Sequence, residues 1–162
     1  MSSAKMLQAL TFSISISLFS FANANPVTEK IDSQVWKPFT QTWKDMNADK
    51  HAELYTQDII RVTESMKKIK QGENYLSDLK RMMSMMGKKG VSSEIHFRFS
   101  SRIQSGNLAW DSGIYQAIMS HPERGEKKQH AKFNVLLEQI DGVWKIKMDN
   151  DKPSTEEEFN KL

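Results

Sequence analysis

At Gly90 the spacing of apolar residues changes from every third or fourth position to every second. No single type of secondary structure satisfies both periods, so helices must come first and strands last. Before the break, Val35, Trp36, Phe39, Trp43 and Met46 form one helical stripe. Ser33 is placed to cap it, and Pro38 falls in the first turn or so, where a missing N–H is tolerated. A second short helix from Asp49 turns Leu54 and Tyr55 inward, Ile59 to Val62 reads as a short strand, and Lys67 to Gly72 as a basic loop. A third helix is predicted from about Glu73 to Met86. Its stripe is Tyr75, Leu76, Leu79, Met82, Met83 and Met86, stopped by Gly87 and Gly90.

After the break, Ile95, Phe97, Phe99 and Ile103 alternate with His96, Arg98 and Arg102. A turn at Gln104 to Asn107 leads into a strand from Leu108 to Met119, and a longer connection runs through His121, Pro122 and Gly125. Phe133, Val135 and Leu137 then alternate with polar residues, Asp141-Gly142 signals a hairpin, and Trp144, Ile146 and Met148 alternate with lysines. Four consecutive strands with one apolar face predict an antiparallel meander. Helices segregated before it cover that face, which is an α+β architecture.

A chain of 162 residues with 38% hydrophobic content supports one domain and excludes a disordered protein. The absence of cysteine excludes a disulfide scaffold, a thiolate zinc site and a thiol nucleophile. Residues 1–24 read as a signal peptide: Lys5 is the charged start, Leu7 to Phe21 the apolar stretch, and Ala22-Asn23-Ala24 the cleavage pattern. Serines interrupt that stretch and it is shorter than a membrane span, so cleavage near Ala24, a secreted or periplasmic location and no transmembrane segment afterwards are expected. Residues 25–34 read as a polar lead-in, 35–151 as the folded domain and 152–162 as a polar tail with room for one helical turn.

This order of elements resembles the NTF2-like superfamily, and within it the SnoaL-like and DUF4440-type domains. The resemblance spans about residues 33–151. It rests on Leu54-Tyr55-Thr56-Gln57-Asp58, on Ile69-Lys70-Gln71-Gly72-Glu73 and on the closing Gly142-Val143-Trp144-Lys145-Ile146 strand. It implies a cone, in which a curved sheet wraps the helices and leaves a pocket at its open end. Members of the superfamily include isomerases, cyclases, dehydratases, hydrolases and non-catalytic binders, often dimeric through the outer sheet face. Fold alone does not choose among these.

The ketosteroid isomerase pattern needs an Asp base after the first strand and a Tyr with a protonated Asp as oxyanion donors. The matching positions fall near Thr63 and Phe39, and neither side chain can do that work; Glu64, next to Thr63, is one catalytic candidate. Asp111 is the other, sharing a strand face with Tyr115 at i and i+4, opposite Trp110, Ile114 and Ile118. An Asp-Arg-Asp hydrolase arrangement would need Arg98, which alternation puts on the outer face. The expected pocket set is Trp43, Tyr55, Met83, Phe97, Tyr115 and Asn150, with His96 as an outside candidate. His96, His121 and His130 lack the close spacing of a metal site, no Gly-x-Ser-x-Gly elbow or phosphate loop occurs, and no cofactor is implied.

The methionines at 82, 83, 85 and 86 are core by helical spacing, yet also suit a pocket for varied apolar ligands. The lysines around that helix read as a solvated rim, because a net charge of +3 is a weak excess for a nucleic-acid binder. The expected function is therefore binding of a small apolar molecule by an exported homodimer, with Trp110, Ile114 and Ile118 at the contact. The alternative is an isomerase, cyclase or dehydratase with Asp111 or Glu64 as base and Tyr55 or Tyr115 as donor.

Overall fold

The structure, a computed structural model, describes residues 26–162; the expected signal peptide and its cleavage point lie outside the described residues. In chain order the elements are α1 (Pro26–Ile31), α2 (Lys37–Lys44), α3 (Ala48–Ala52), β1 (Tyr55–Thr63), β2 (Lys68–Gln71), α4 (Gly72–Lys88), β3 (Ser92–Ser105), β4 (Leu108–His121), β5 (Gly125–Ile140), β6 (Val143–Pro153) and α5 (Glu156–Asn160). The strands form one mixed sheet in the order β2-β1-β6-β5-β4-β3.

The expected meander is present as β3 to β6, joined by antiparallel pairings throughout. The Asp141-Gly142 turn has both residues at positive φ, 50° and 82°, as a two-residue hairpin requires. Two further strands complete the sheet. β1 is longer than expected and pairs in parallel with β6, and β2 takes the place of the predicted basic loop. All four β2 residues are exposed, and this polar, lysine-bearing edge discourages another chain from adding a strand there.

The helical rod begins before Ser33, which is an interior position rather than a cap: its hydroxyl bonds back to the Lys30 carbonyl at 2.9 Å. α1 and α2 are joined by a π-helical turn, Asp32–Trp36, with right-handed helical φ and ψ at both junctions. Pro38 therefore sits well inside the rod. It lacks the N–H that would bond the carbonyl four residues back, and widening the preceding turn lets the rod continue past that gap. The residues expected to be a lead-in thus contribute Ile31 to the core, only 2% exposed.

The core lies between the rod, α4 and the inner sheet face. Val35, Trp36, Leu76, Leu79, Met83, Leu137, Trp144 and Ile146 are buried there, in keeping with both predicted stripes. The tail is also folded. Thr155 caps α5 by accepting from the Glu158 N–H at 3.1 Å, and Phe159 is buried. The Arg98 guanidinium stacks 4.4 Å from the Phe159 ring and donates to the Phe159 carbonyl at 2.9 Å, so α5 packs on the outer sheet face. Ile114, expected at a dimer contact, is 5% exposed on that same face, where α5 packs against β4.

Within the antiparallel meander, two irregularities in register decide which side chains face the interior. Between Phe99 and Ser101 the β3–β4 register shifts, which reverses the alternation beyond it. Arg102 consequently points inward and Ile103 outward, 62% exposed, the opposite of the sequence expectation. Between Leu136 and Leu137 the β5–β6 register shifts in the same way. Trp144 and Ile146 face the core, but past the shift Met148 and Asn150 turn outward and Asp149 and Asp151 turn inward.

Candidate functional site

The sheet and helices enclose an open-ended cavity of about 1000 Å³. One wall is aromatic, from Trp36, Phe39 and Trp43 on the rod to Phe97 and Phe133 on the sheet. Edge-to-face and tilted contacts with centroid separations of 4.8–5.6 Å lock the Trp36, Phe97 and Phe133 rings together. Met82, Met86 and Met119 add flexible apolar surface toward the mouth.

Against this wall stands a polar cluster. Arg61 on β1 pairs with Asp149 at 2.9 Å and also with Asp151, both on the adjoining β6. Tyr115 on β4 donates its hydroxyl proton to Asp151 Oδ2 at 3.0 Å. Tyr55 and Tyr75 lie beside this group with their rings 5.6 Å apart. The positions follow from pairing: Arg61 is opposite Asp149 and Thr63 opposite Asp151 in the parallel β1–β6 ladder.

Burial sets the electrostatics here. It raises the Asp149 carboxyl above its ordinary value; the neighbouring Asp151 charge adds to that rise and Arg61 opposes it. Burial works against the Arg61 charge, but the two aspartates more than compensate and hold it protonated. Burial, reinforced by Asp149, pushes the Tyr75 hydroxyl up to about 12. Tyr55 and Tyr115 are likewise raised, first by burial and then by neighbouring negative charge. At neutral pH the cluster therefore combines three neutral phenols, one guanidinium and two carboxyl groups, with Asp149 the one made more basic.

Of the expected pocket residues, Trp43, Tyr55, Phe97 and Tyr115 line the cavity. Met83 is completely buried in the core behind it, and its neighbours Met82 and Met86 line the cavity instead. Asn150 faces outward and donates to Glu64 Oε1 at 3.0 Å, so these two expected residues meet each other away from the cavity. Asp111 does point inward, but it is 1% exposed and fully engaged. It accepts from Trp36 Nε1 at 2.7 Å and from Arg102 Nε and Nη2 at 3.1 and 3.0 Å, and Arg102 also pairs with Asp32 at 2.8 Å. Asp111 thus anchors the rod to the sheet behind the aromatic wall. Thr63 and Phe39 both line the cavity.

Nothing in the local pattern of the sequence marks Arg61, Asp149 or Asp151 as inward-facing. A period-2 count from Trp144 gives the wrong parity beyond the bulge, and only the Asp149-x-Asp151 repeat hinted at a shared face. His96, His121 and His130 occupy separate places: His96 is exposed beside Glu94, His121 accepts from the Glu123 N–H, and His130 meets Gln116. Among the described residues, no group of three or more His, Asp or Glu side chains is arranged to hold a metal ion, and no helix is long and apolar enough to cross a membrane.

No family model matches the sequence, and no curated protein matches it. Solved structures do. An NTF2-like protein of unknown function from Shewanella oneidensis is 20% identical, with a TM-score of 0.62 over 77% of this chain and 98% of that one. A ketosteroid isomerase-like protein from Erwinia carotovora atroseptica is 12% identical, with a TM-score of 0.63 over 82% and 99%. A scytalone dehydratase-like protein from Novosphingobium aromaticivorans is 15% identical, with a TM-score of 0.65 over 80% and 85%. At such identities the likeness is one of fold: the chain has the NTF2-like α+β cone, as its order of elements implied.

Proposed function

We propose that this chain is an exported protein that holds a small, mainly apolar molecule in its cone, with the ligand's polar end at the Arg61–Asp149–Asp151–Tyr115 cluster. The observation that carries this reading is the cavity itself: about 1000 Å³, walled by aromatic and methionine side chains, with a few convergent polar groups on one side. The polar groups satisfy one another before any ligand arrives, so the site is preorganised. The test is titration with N-phenyl-1-naphthylamine, an uncharged apolar fluorophore. Saturable binding is expected, weakened about tenfold or more by Ala117→Phe, which puts a ring into the cavity from β4. Its melting temperature should stay near that of the parent. Absence of saturable binding by the parent protein would overturn the reading.

A second reading, an acid–base enzyme of the isomerase, cyclase or dehydratase type, is favoured by Asp149. Its carboxyl is raised by burial and lies in the same cluster as the Tyr115 phenol. The ketosteroid isomerase-like and scytalone dehydratase-like neighbours agree with such chemistry by analogy of fold only. Turnover of a bound molecule by the parent and not by Asp149→Asn would select this reading over simple binding.

The outer sheet face supports a homodimer. Ile103, Trp110, Leu136, Met148 and Ile60 are directly opposed across five successive strands, giving an apolar row, with Ile103 and Ile60 at its ends exposed by 62% and 38%. A second copy of the chain is the occupant proposed for this row, alongside the segment that α5 covers. Sedimentation equilibrium of protein recovered from the extracytoplasmic fraction should give twice the mass of the chain processed after Ala24, and Trp110→Glu should halve it. A monomer of parental sequence at micromolar concentration would exclude this arrangement.

A further inference from the structure

His51 lies at the aromatic end of the cavity, remote in role from the charged cluster. Its side chain is completely buried yet belongs to the cavity lining, packed between Phe39, Trp43 and Tyr55 at centroid separations of 4.4, 5.7 and 5.8 Å. Its tautomer can be worked out from its neighbours. The Thr42 hydroxyl has one hydrogen, and a 2.7 Å contact with the Pro38 carbonyl, which can only accept, places that hydrogen between them. The same hydroxyl oxygen is 2.8 Å from His51 Nδ1 and must therefore accept there, so Nδ1 carries the proton. Burial lowers the imidazole to about 4, so the ring is neutral at pH 7 and Nε2 presents a bare lone pair.

That Nε2 has no hydrogen-bonding partner within the described chain. Neither has Trp43 Nε1, which is also buried, belongs to the same stretch of cavity lining and can only donate. An acceptor and a donor left unpaired in the interior each carry a desolvation cost, and native proteins seldom leave such groups in adjacent rings without a use. The two rings are neighbours, with centroids 5.7 Å apart. A hydroxyl is the simple group that gives one hydrogen and takes another at a single atom.

We infer that His51 Nε2 and Trp43 Nε1 form a hydroxyl-recognition site, so that the preferred ligand is an alcohol or phenol whose hydroxyl donates to His51 and accepts from Trp43. This deepens, and rests on, the ligand-binding reading above. It also gives the ligand a polarity at both ends: a hydroxyl among the rings, and a second polar group at the Arg61 cluster.

The test compares 2-naphthol, which can donate and accept, with 2-methoxynaphthalene, which can only accept, and with naphthalene. Parent protein should bind 2-naphthol about tenfold more tightly than the other two, the ratio a missing donor to a buried acceptor produces. His51→Phe should abolish that preference while retaining naphthalene binding, and His51→Gln, whose side-chain oxygen still accepts, should restore part of it. In unmodified protein, the His51 Nε2 nitrogen resonance should shift on adding 2-naphthol and stay in place with 2-methoxynaphthalene. This readout does not depend on the variants folding. Equal binding of 2-naphthol and 2-methoxynaphthalene, or loss of the preference in Tyr115→Phe with an unmoved Nε2 resonance, would overturn the inference while leaving the cavity reading intact. Failure of all three compounds to bind would instead remove the ligand-binding reading itself.

Discussion

Replacing Gly113 with alanine should cost the fold about 3 kcal/mol or more, and lower the melting temperature by about 10 °C, for the addition of one methyl group. Gly113 lies in the middle of β4, opposite Phe99, at the point where β3 gains its extra residue. A Cβ built there would stand 2.0 Å from the Arg98 carbonyl oxygen and 2.9 Å from the Phe99 Cα. Those are backbone atoms within a paired strand, so no side-chain rotation relieves the overlap. The bulge bends β3 over the rod and turns Arg102 inward to Asp111, so relief by straightening β3 would also break the Arg102–Asp111–Trp36 contacts. Alanine at Gly106, where nothing lies within 4 Å of the added atom, is the internal comparison: it carries only the strain of a positive φ of 58°. Thermal denaturation of the two variants should separate them clearly. A Gly113→Ala protein that melts within 3 °C of the parent would mean that β3 does not bend against β4 in this way.

The same bulge explains how far the sequence could be read. Helices before strands, the four-strand meander, the hairpin at Asp141-Gly142 and the inward direction of Phe97 and Tyr115 all follow from local periodicity, and all are present. Periodicity carries no record of an added residue. Each register shift therefore inverts the parity downstream: period-2 counting puts Ile103 inside and Arg102 outside, and Asn150 inside, whereas the structure has Arg102, Asp149 and Asp151 inside. The parallel β1–β6 pairing was hidden for a related reason, since its partners stand about 90 residues apart and neither strand marks the other. Edge strand β2 has no buried face to create a pattern at all. The tail reads as solvated in sequence because one buried ring, Phe159, is too little for a hydrophobic period. The charged cluster is hidden from a periodicity count because one strand beyond a register shift and one long-range pairing build it.

Arg61→Met tests that cluster, and its expected result depends on pH. The two aspartates are 15% and 13% exposed in their side chains, and Arg61 is 17% exposed, so water does little to replace a lost partner. Removing one member of such a group leaves uncompensated charge in the interior, typically a loss of about 3–5 kcal/mol at neutral pH. Methionine keeps much of the arginine's length and apolar stem, which limits the contribution from a cavity. The direction of the pH effect follows from Asp149. Its carboxyl is raised in the folded protein, by burial first and by Asp151 second, above the ordinary aspartate value of 3.8. A raised acid stabilises the fold below its unfolded value, where it is protonated in both states, and that stability is lost as the pH climbs through the folded value. The guanidinium opposes the rise, so without it the folded value moves higher still. The deficit of Arg61→Met should therefore be small near pH 4 and grow toward pH 7. Adding Asp149→Asn should recover much of the neutral-pH loss by removing one of the two facing charges. Urea denaturation of parent, single and double variants at pH 4.5 and pH 7 reads this directly. A deficit equal at the two pH values would mean that Arg61 supports the fold by packing, with the carboxylates otherwise satisfied, and the cavity would then lose its charged anchor for a ligand's polar end.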